Sequence, residues 1–453
     1  MPARRPSTSA KQENTSAGSG HFPCCLERIL LGTFLILHVV VLARYWGEII
    51  GHDSHDFLRT VIAYRHFGIL VPLQATYSSY HPPLSFLLTA TLSSFTGNLA
   101  TGAQILSSLS ILGAFFLLRK TLSDIHILHT AAGVTFLYSA LSLPVFIYLT
   151  RASTYDTFQF FLSILSLYAS VSLFWNPQQQ KPTSIFLLQT LLLTTALTAD
   201  LYTKYSCILN FLFPIFILFI RSDRKSMGKA LLTCCIAGSI AAAAAAPYYY
   251  TRYFKETGKW LPVGMEWQRP EDLQKTRAER DAHPLLFTAH MLRVPAQLFG
   301  GTYSIQNSLW HHLWFHTWKT DRYWMTQGPL SSIISTFYAT FSLPLFAFGF
   351  LIFFAGRNSL PRSLNHFGWI LFLHTVLLLI AILRFAYEYP LFDWALFKPK
   401  YIASAVLWIP FCFGVAACSL GQVLQGKIFR SSLFALLLRI TAGARRVPIF
   451  RSG

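Results

Sequence analysis

Apolar residues fall in long uninterrupted runs along the chain, at about 29–43, 103–118, 126–145, 158–175, 183–199, 205–220, 230–246, 330–355, 366–383 and 401–420. Runs of about 20 residues match a helix crossing a hydrocarbon layer roughly 30 Å thick. The pattern therefore predicts an all-α polytopic membrane protein with about ten transmembrane helices. One further run, 84–96, follows Pro82 and Pro83 and is too short to cross. It reads as an interfacial or re-entrant segment.

Composition agrees: 53% of the 453 residues are hydrophobic, 12% are charged and 40 are Phe. Such a chain is not a soluble protein. The net charge of +19 raises nucleic acid as a partner, so the placement of the charge matters. With a cytosolic N-terminus, 19 of the 37 Lys and Arg residues fall in cytosolic segments and 8 in the shorter outer segments. The other 10 lie in one long outer loop, 247–328, which the positive-inside rule discounts. Both termini are thus expected in the cytosol, with 14 of the 18 acids outside. The cytosolic bias, and a basic tail at 421–453 suited to an anionic membrane surface, account for the charge without nucleic acid.

Residues 1–28 read as a disordered cytosolic tail, and 29–420 as one transmembrane domain with a first outer loop at 45–102. The seven cysteines show neither a disulfide framework nor zinc spacing. The sole Asn-X-Ser/Thr sequon, Asn14-Thr15-Ser16, lies in the cytosolic tail, which favours a bacterial inner membrane over the endoplasmic reticulum.

Candidate chemistry gathers in the outer segments. Asp53 and Asp56 stand three apart in His52-Asp53-Ser54-His55-Asp56, so on a helix they share a face. They suit a general base or a divalent cation site. A helix start capped by Asp53 is the plainer alternative. Zinc on His52, His55 and Asp56 lacks a clear fourth ligand. Arg151 and Asp156 flank one membrane boundary, and Asp200 and Lys204, four apart, form the turn between the fifth and sixth runs. Arg384, Glu388, Asp393, Lys398 and Lys400 precede the last run. Arg151, Lys204, Arg384, Lys398 and Lys400 form a set of outer-boundary cations, each a candidate for an anionic lipid head group or for snorkelling to phospholipid. Trp310, Trp314 and Trp318 share a helix face, as an interfacial belt or a sugar-stacking surface.

The first loop also contains Tyr80-His81-Pro82-Pro83-Leu84. Together with Asp53, Arg151 to Asp156, Thr203-Lys204-Tyr205 and Lys398-Pro399-Lys400-Tyr401, it resembles the GT-C membrane glycosyltransferases. The nearest branch is the protein O-mannosyltransferase and aminoarabinose transferase group, and the resemblance covers most of 30–420. It implies a polyprenyl-phosphate-linked sugar donor, a first-loop acid as catalytic base, and a site on the non-cytosolic face. Asp53 matches the catalytic position, and the Pro82-Pro83 motif matches the stretch shaping the cavity, where His55, Tyr80, His81 and Asp156 are expected to line the acceptor side. Many relatives carry an Asp-Glu pair where Ser54 follows Asp53, which leaves the choice between Asp53 and Asp56 open. The expected partners are the lipid-linked sugar, a lipid, glycan or protein acceptor, and membrane lipids. Two rival classes are a transporter for a lipid-linked sugar and an acyl or phosphoethanolamine transferase. The latter needs a catalytic span histidine, whereas His38 and His374 read as satisfied core residues.

Overall fold

The computed structural model describes residues 24–50, 53–175, 182–221, 224–263, 266, 270–292, 313–314, 317–318, 329–355, 360–390 and 399–430. All regular structure among them is helical. In chain order the helices are α1 (Cys24–Arg44), α2 (Ser54–Phe67), α3 (Leu84–Thr96), α4 (Leu99–Asp124), α5 (Ala131–Ser142), α6 (Pro144–Arg151), α7 (Asp156–Phe174) and α8 (Thr183–Leu201). Then follow α9 (Leu212–Arg221), α10 (Arg224–Tyr249), α11 (Pro270–Ala282), α12 (Pro284–Leu292), α13 (Pro329–Ala355), α14 (Arg362–Glu388) and α15 (Trp408–Arg430). The chain is a multi-pass membrane protein.

Each expected run is helical over most of its length, but the count of ten is approximate. Among the described residues seven helices are long and apolar enough to cross, eight if the bent pair α5–α6 is one span. The breaks have local causes. Leu143, held extended before Pro144, ends α5, and α6 leaves at 49°. The run at 205–220 opens as a 3-10 turn, Tyr205–Phe211, and becomes α-helical only around Pro214, whose missing N–H is tolerated in a first turn. The short segment at 84–96 is the 13-residue α3. Gly97, with φ +71°, closes α3, and the Asn98 side chain accepts the Thr101 N–H at 3.0 Å to start α4. The two helices turn back on each other there.

The bundle has an inner and an outer layer. In α4, α7 and the Ala403–Gly421 window, 67%, 78% and 72% of the spanning residues are buried, against 22% in α8, α10 and α13. The outer helices therefore turn apolar faces outward, as lipid contact requires. Small residues set the inner spacing: a Cβ on Gly349 would stand 1.9 Å from the Cys412 carbonyl oxygen, and one on Gly414 2.5 Å from that of Ala132. Trp314 and Trp318 pack inward, against Phe346 at 5.5 Å and Phe413 at 6.2 Å. Trp310 lies outside the described residues.

Candidate functional site

The first loop is built on α2 and then pinned along 76–84. Asp53 occupies the N-cap position of α2 without a side-chain cap bond. Asp56, in the first turn, accepts the Tyr77 N–H at 3.1 Å on one oxygen and the Ser78 hydroxyl on the other. Three successive carbonyls then take donors from three different elements. Ser79 accepts from Arg252 at 3.4 Å, Tyr80 from the Tyr205 hydroxyl at 2.6 Å, and His81 from the Tyr64 hydroxyl at 3.1 Å. The Leu84 N–H donates to the Tyr202 carbonyl at 2.8 Å. The loop has little freedom left.

At the centre is a buried ion pair. Lys204 Nζ donates to Asp156 Oδ1 at 2.9 Å, with the two side chains 11% and 1% exposed. A buried pair tolerates its desolvation only with further support. Here Nζ also lies 4.9 Å from the Tyr155 ring centre and 4.6 Å from that of Tyr401. Tyr401 in turn donates its hydroxyl to Asp53 Oδ2 at 3.1 Å. A continuous chain thus runs Asp53, Tyr401, Lys204, Asp156. Gln159, one turn into α7, donates to the Ser206 hydroxyl at 2.9 Å and ties the 3-10 turn to the same helix.

Lys204 and Asp200, though four apart, are not paired with each other as two such residues on one helix would be. Helix α8 ends at Leu201, so Lys204 leaves the helical register and swings to α7. The Asp200 carboxylate accepts from Ser166 at 2.8 Å instead, while its carbonyl accepts the N–H groups of Thr203 and Lys204. Arg151 is buried with its guanidinium 4.1 Å from the Tyr45 ring centre. His55 and Arg384 are exposed on their helices. His52, Asp393 and Lys398 lie outside the described residues, as does the side chain of Lys400.

Burial controls the loop's electrostatics. It raises the Asp56 carboxyl above its ordinary value, against the lowering by the Ser78 and Tyr77 bonds, with the charge of Asp53 adding to the rise. His81 is held well below the usual imidazole range, by burial first and by the charge of Lys204 second. The Tyr80 hydroxyl, kept protonated by burial, lies within electrostatic reach of Asp53, Asp56 and Asp156. Tyr80, His81, Asp53, Asp156 and Lys204 therefore share one site. No three His, Cys, Asp or Glu side chains among the described residues are grouped to hold a metal ion. Both Asp56 oxygens already have protein donors.

Sequence reasoning passed over Tyr155, Tyr401 and Arg252. Tyr155 and Tyr401 adjoin residues singled out by their charge, and that adjacency was the available signal. Arg252, 1% exposed, sits among the cations of a long loop and had none. The span histidines bond to hydroxyls, His38 to Ser108 at 2.7 Å and His374 to Ser404 at 3.1 Å.

Fold and site define a multi-pass α-helical membrane protein with a buried ionic centre where its first loop meets the helix ends. No protein-family profile matches the chain, and no curated protein does. Among solved structures it is similar to ArnT from Cupriavidus metallidurans bound to undecaprenyl phosphate, with 14% identity and a TM-score of 0.42 over 89% of this chain and 79% of that one. The apo state of ArnT compares alike, with 14% identity and 0.42 over 88% and 77%. Likeness at that level says nothing of this chain's chemistry, for which its own residues must speak.

Proposed function

We propose that this protein is a membrane glycosyltransferase that moves a sugar from a polyprenyl-phosphate carrier to an acceptor hydroxyl on the non-cytosolic face, with inversion. The observation that carries this reading is the chain from Asp53 through Tyr401 to the Lys204–Asp156 pair. It links a carboxylate to a cation through one tyrosine, and a base joined to a cation is what one-step displacement of a lipid phosphate needs.

The acceptor oxygen attacks the anomeric carbon, and its proton passes to Asp53 as the new C–O bond forms. The bond from that carbon to the phosphate oxygen breaks, and the phosphate leaves with the electron pair. Cations at the same boundary, Lys204 with Arg151, Arg384, Lys398 and Lys400 as candidates, offset the charge on that leaving group. One base and one stabilised leaving group suffice, unlike the paired carboxyls of glycoside hydrolysis. Asp53 is preferred over Asp56 because both Asp56 oxygens anchor the loop, whereas Asp53 Oδ2 meets a hydroxyl at the ionic centre. No divalent cation is required in this scheme. The carrier fits a multi-pass protein, and the acceptor class stays open between lipid, glycan and protein.

The test is to incubate purified protein with radiolabelled polyprenyl-phosphate sugars and measure carrier release. Asp53→Asn should cut turnover by roughly 10²- to 10⁴-fold. Asp56→Asn should cost less. Release at the wild-type rate in both single variants and in the double variant would refute the catalytic reading of this loop, whereas no release from any donor by wild-type protein would return the site to a transporter, which moves the lipid-linked sugar without breaking its bond.

A further inference from the structure

His81 has a place in the loop that the reaction above does not use. Its backbone is fixed on both sides: its N–H donates to the Ser78 carbonyl at 3.0 Å and its carbonyl accepts from Tyr64 at 3.1 Å. Pro82 and Pro83 follow and stiffen the exit. The side chain is 6% exposed, with its ring 4.1 Å from that of Tyr80 and 4.4 Å from that of Tyr155. Among the described residues Nδ1 has no hydrogen-bond partner. A buried polar atom on so fixed a frame is costly unless something bonds to it.

We infer that His81 reads a hydroxyl group of the transferred sugar, and so sets which sugar is accepted. This rests on the glycosyltransferase reading. Three observations select a hydroxyl over the carrier phosphate. The imidazole is kept neutral by burial and by Lys204, so it brings no charge to a phosphate. Its Nδ1 offers a lone pair or an N–H according to tautomer, and a hydroxyl, being donor and acceptor, pairs with either. The rings of Tyr80 and Tyr155 flank it with flat apolar walls of the kind a sugar's C–H face packs against. His81 also lies within electrostatic reach of both Asp53 and Lys204, the proposed base and the proposed phosphate cation.

A site with a buried group built to bond a substrate hydroxyl discriminates strongly against an analogue lacking it. The probes are polyprenyl-phosphate glucose, mannose, galactose and arabinose, and the monodeoxy derivatives of whichever binds most tightly, with binding measured by calorimetry in detergent. Wild-type protein should bind one monodeoxy derivative more weakly than its parent by on the order of 10- to 100-fold. In His81→Phe that ratio should collapse to near one, and His81→Gln, which keeps a donor and an acceptor, should restore part of it. Size-exclusion profiles check that the variants fold.

Wild-type protein that binds every monodeoxy donor as tightly as the parent overturns the inference without any variant. So does His81→Phe that keeps the full ratio. A parallel loss of parent donor and sugar-free carrier in His81→Phe would instead assign the ring to the phosphate and overturn it too. If wild type binds no carrier at all, the glycosyltransferase reading fails first and takes the inference with it, a result distinct from the other three.

Discussion

At the scale of single residues, the site separates two carboxylates between which the sequence left the choice open. Asp53 and Asp56 stand one helical turn apart, and only their partners distinguish them: a tyrosine hydroxyl for one, a loop N–H and a serine for the other. Those partners lie 21 to 348 residues away, beyond the reach of any local pattern. His81 gives a measurable consequence. The fold favours its neutral form, while an imidazole in the unfolded chain titrates at about 6.5. Below that pH the unfolded state takes up a proton that the folded state refuses, so stability is complete above about 6.5 and is lost as pH falls. The unfolding temperature in detergent should therefore decline between about pH 7 and pH 5, and His81→Gln should flatten part of that slope. An identical slope in the variant would place the titration elsewhere.

At the scale of elements, helix ends decide the chemistry. The sequence shows the run at 183–199, and with it a lysine four residues after an aspartate, but not that the helix stops at Leu201. A helix three residues longer would keep Lys204 on its own axis. The early stop sends it across to Asp156, the first residue of α7. From sequence alone, removing Lys204 is a question of carrier binding. The pairing adds a folding cost, because Lys204→Met leaves Asp156 charged and buried. Breaking such a pair costs about 3–5 kcal/mol. Thermal unfolding in detergent should show Lys204→Met as the more damaging single change beside Asp156→Asn, with the double variant less unstable than the sum of the two. Strict additivity would mean that the pair does not interact.

At the scale of the whole molecule, hydropathy alone gave the all-helical bundle and the short α3. It could not give the layering, since α7 and α10 are both apolar and only packing shows that one is buried and the other faces outward. Orientation is a proposal from charge placement, and labelling tests it. Cysteine at the exposed positions Thr96 and Lys255 should react with an impermeant thiol reagent from outside intact cells. Cysteine at the exposed positions His129 and Thr183 should not. The reverse pattern would invert the protein and move the site to the cytosol.

The three donors that hold Ser79, Tyr80 and His81 come from Arg252, Tyr205 and Tyr64, in that order. A ribosome releases these in the opposite order, so the loop is made early and completed late. While α10 is still inside the translocation machinery, Tyr64 and Tyr205 have already been made, but the Ser79 carbonyl has no guanidinium to meet. The nascent protein must then pass through a stage with several helices inserted and its first loop unfinished. Quality-control proteases could cut there, and a variant at Arg252 would prolong that stage, lowering the yield of mature protein before any effect on catalysis is seen.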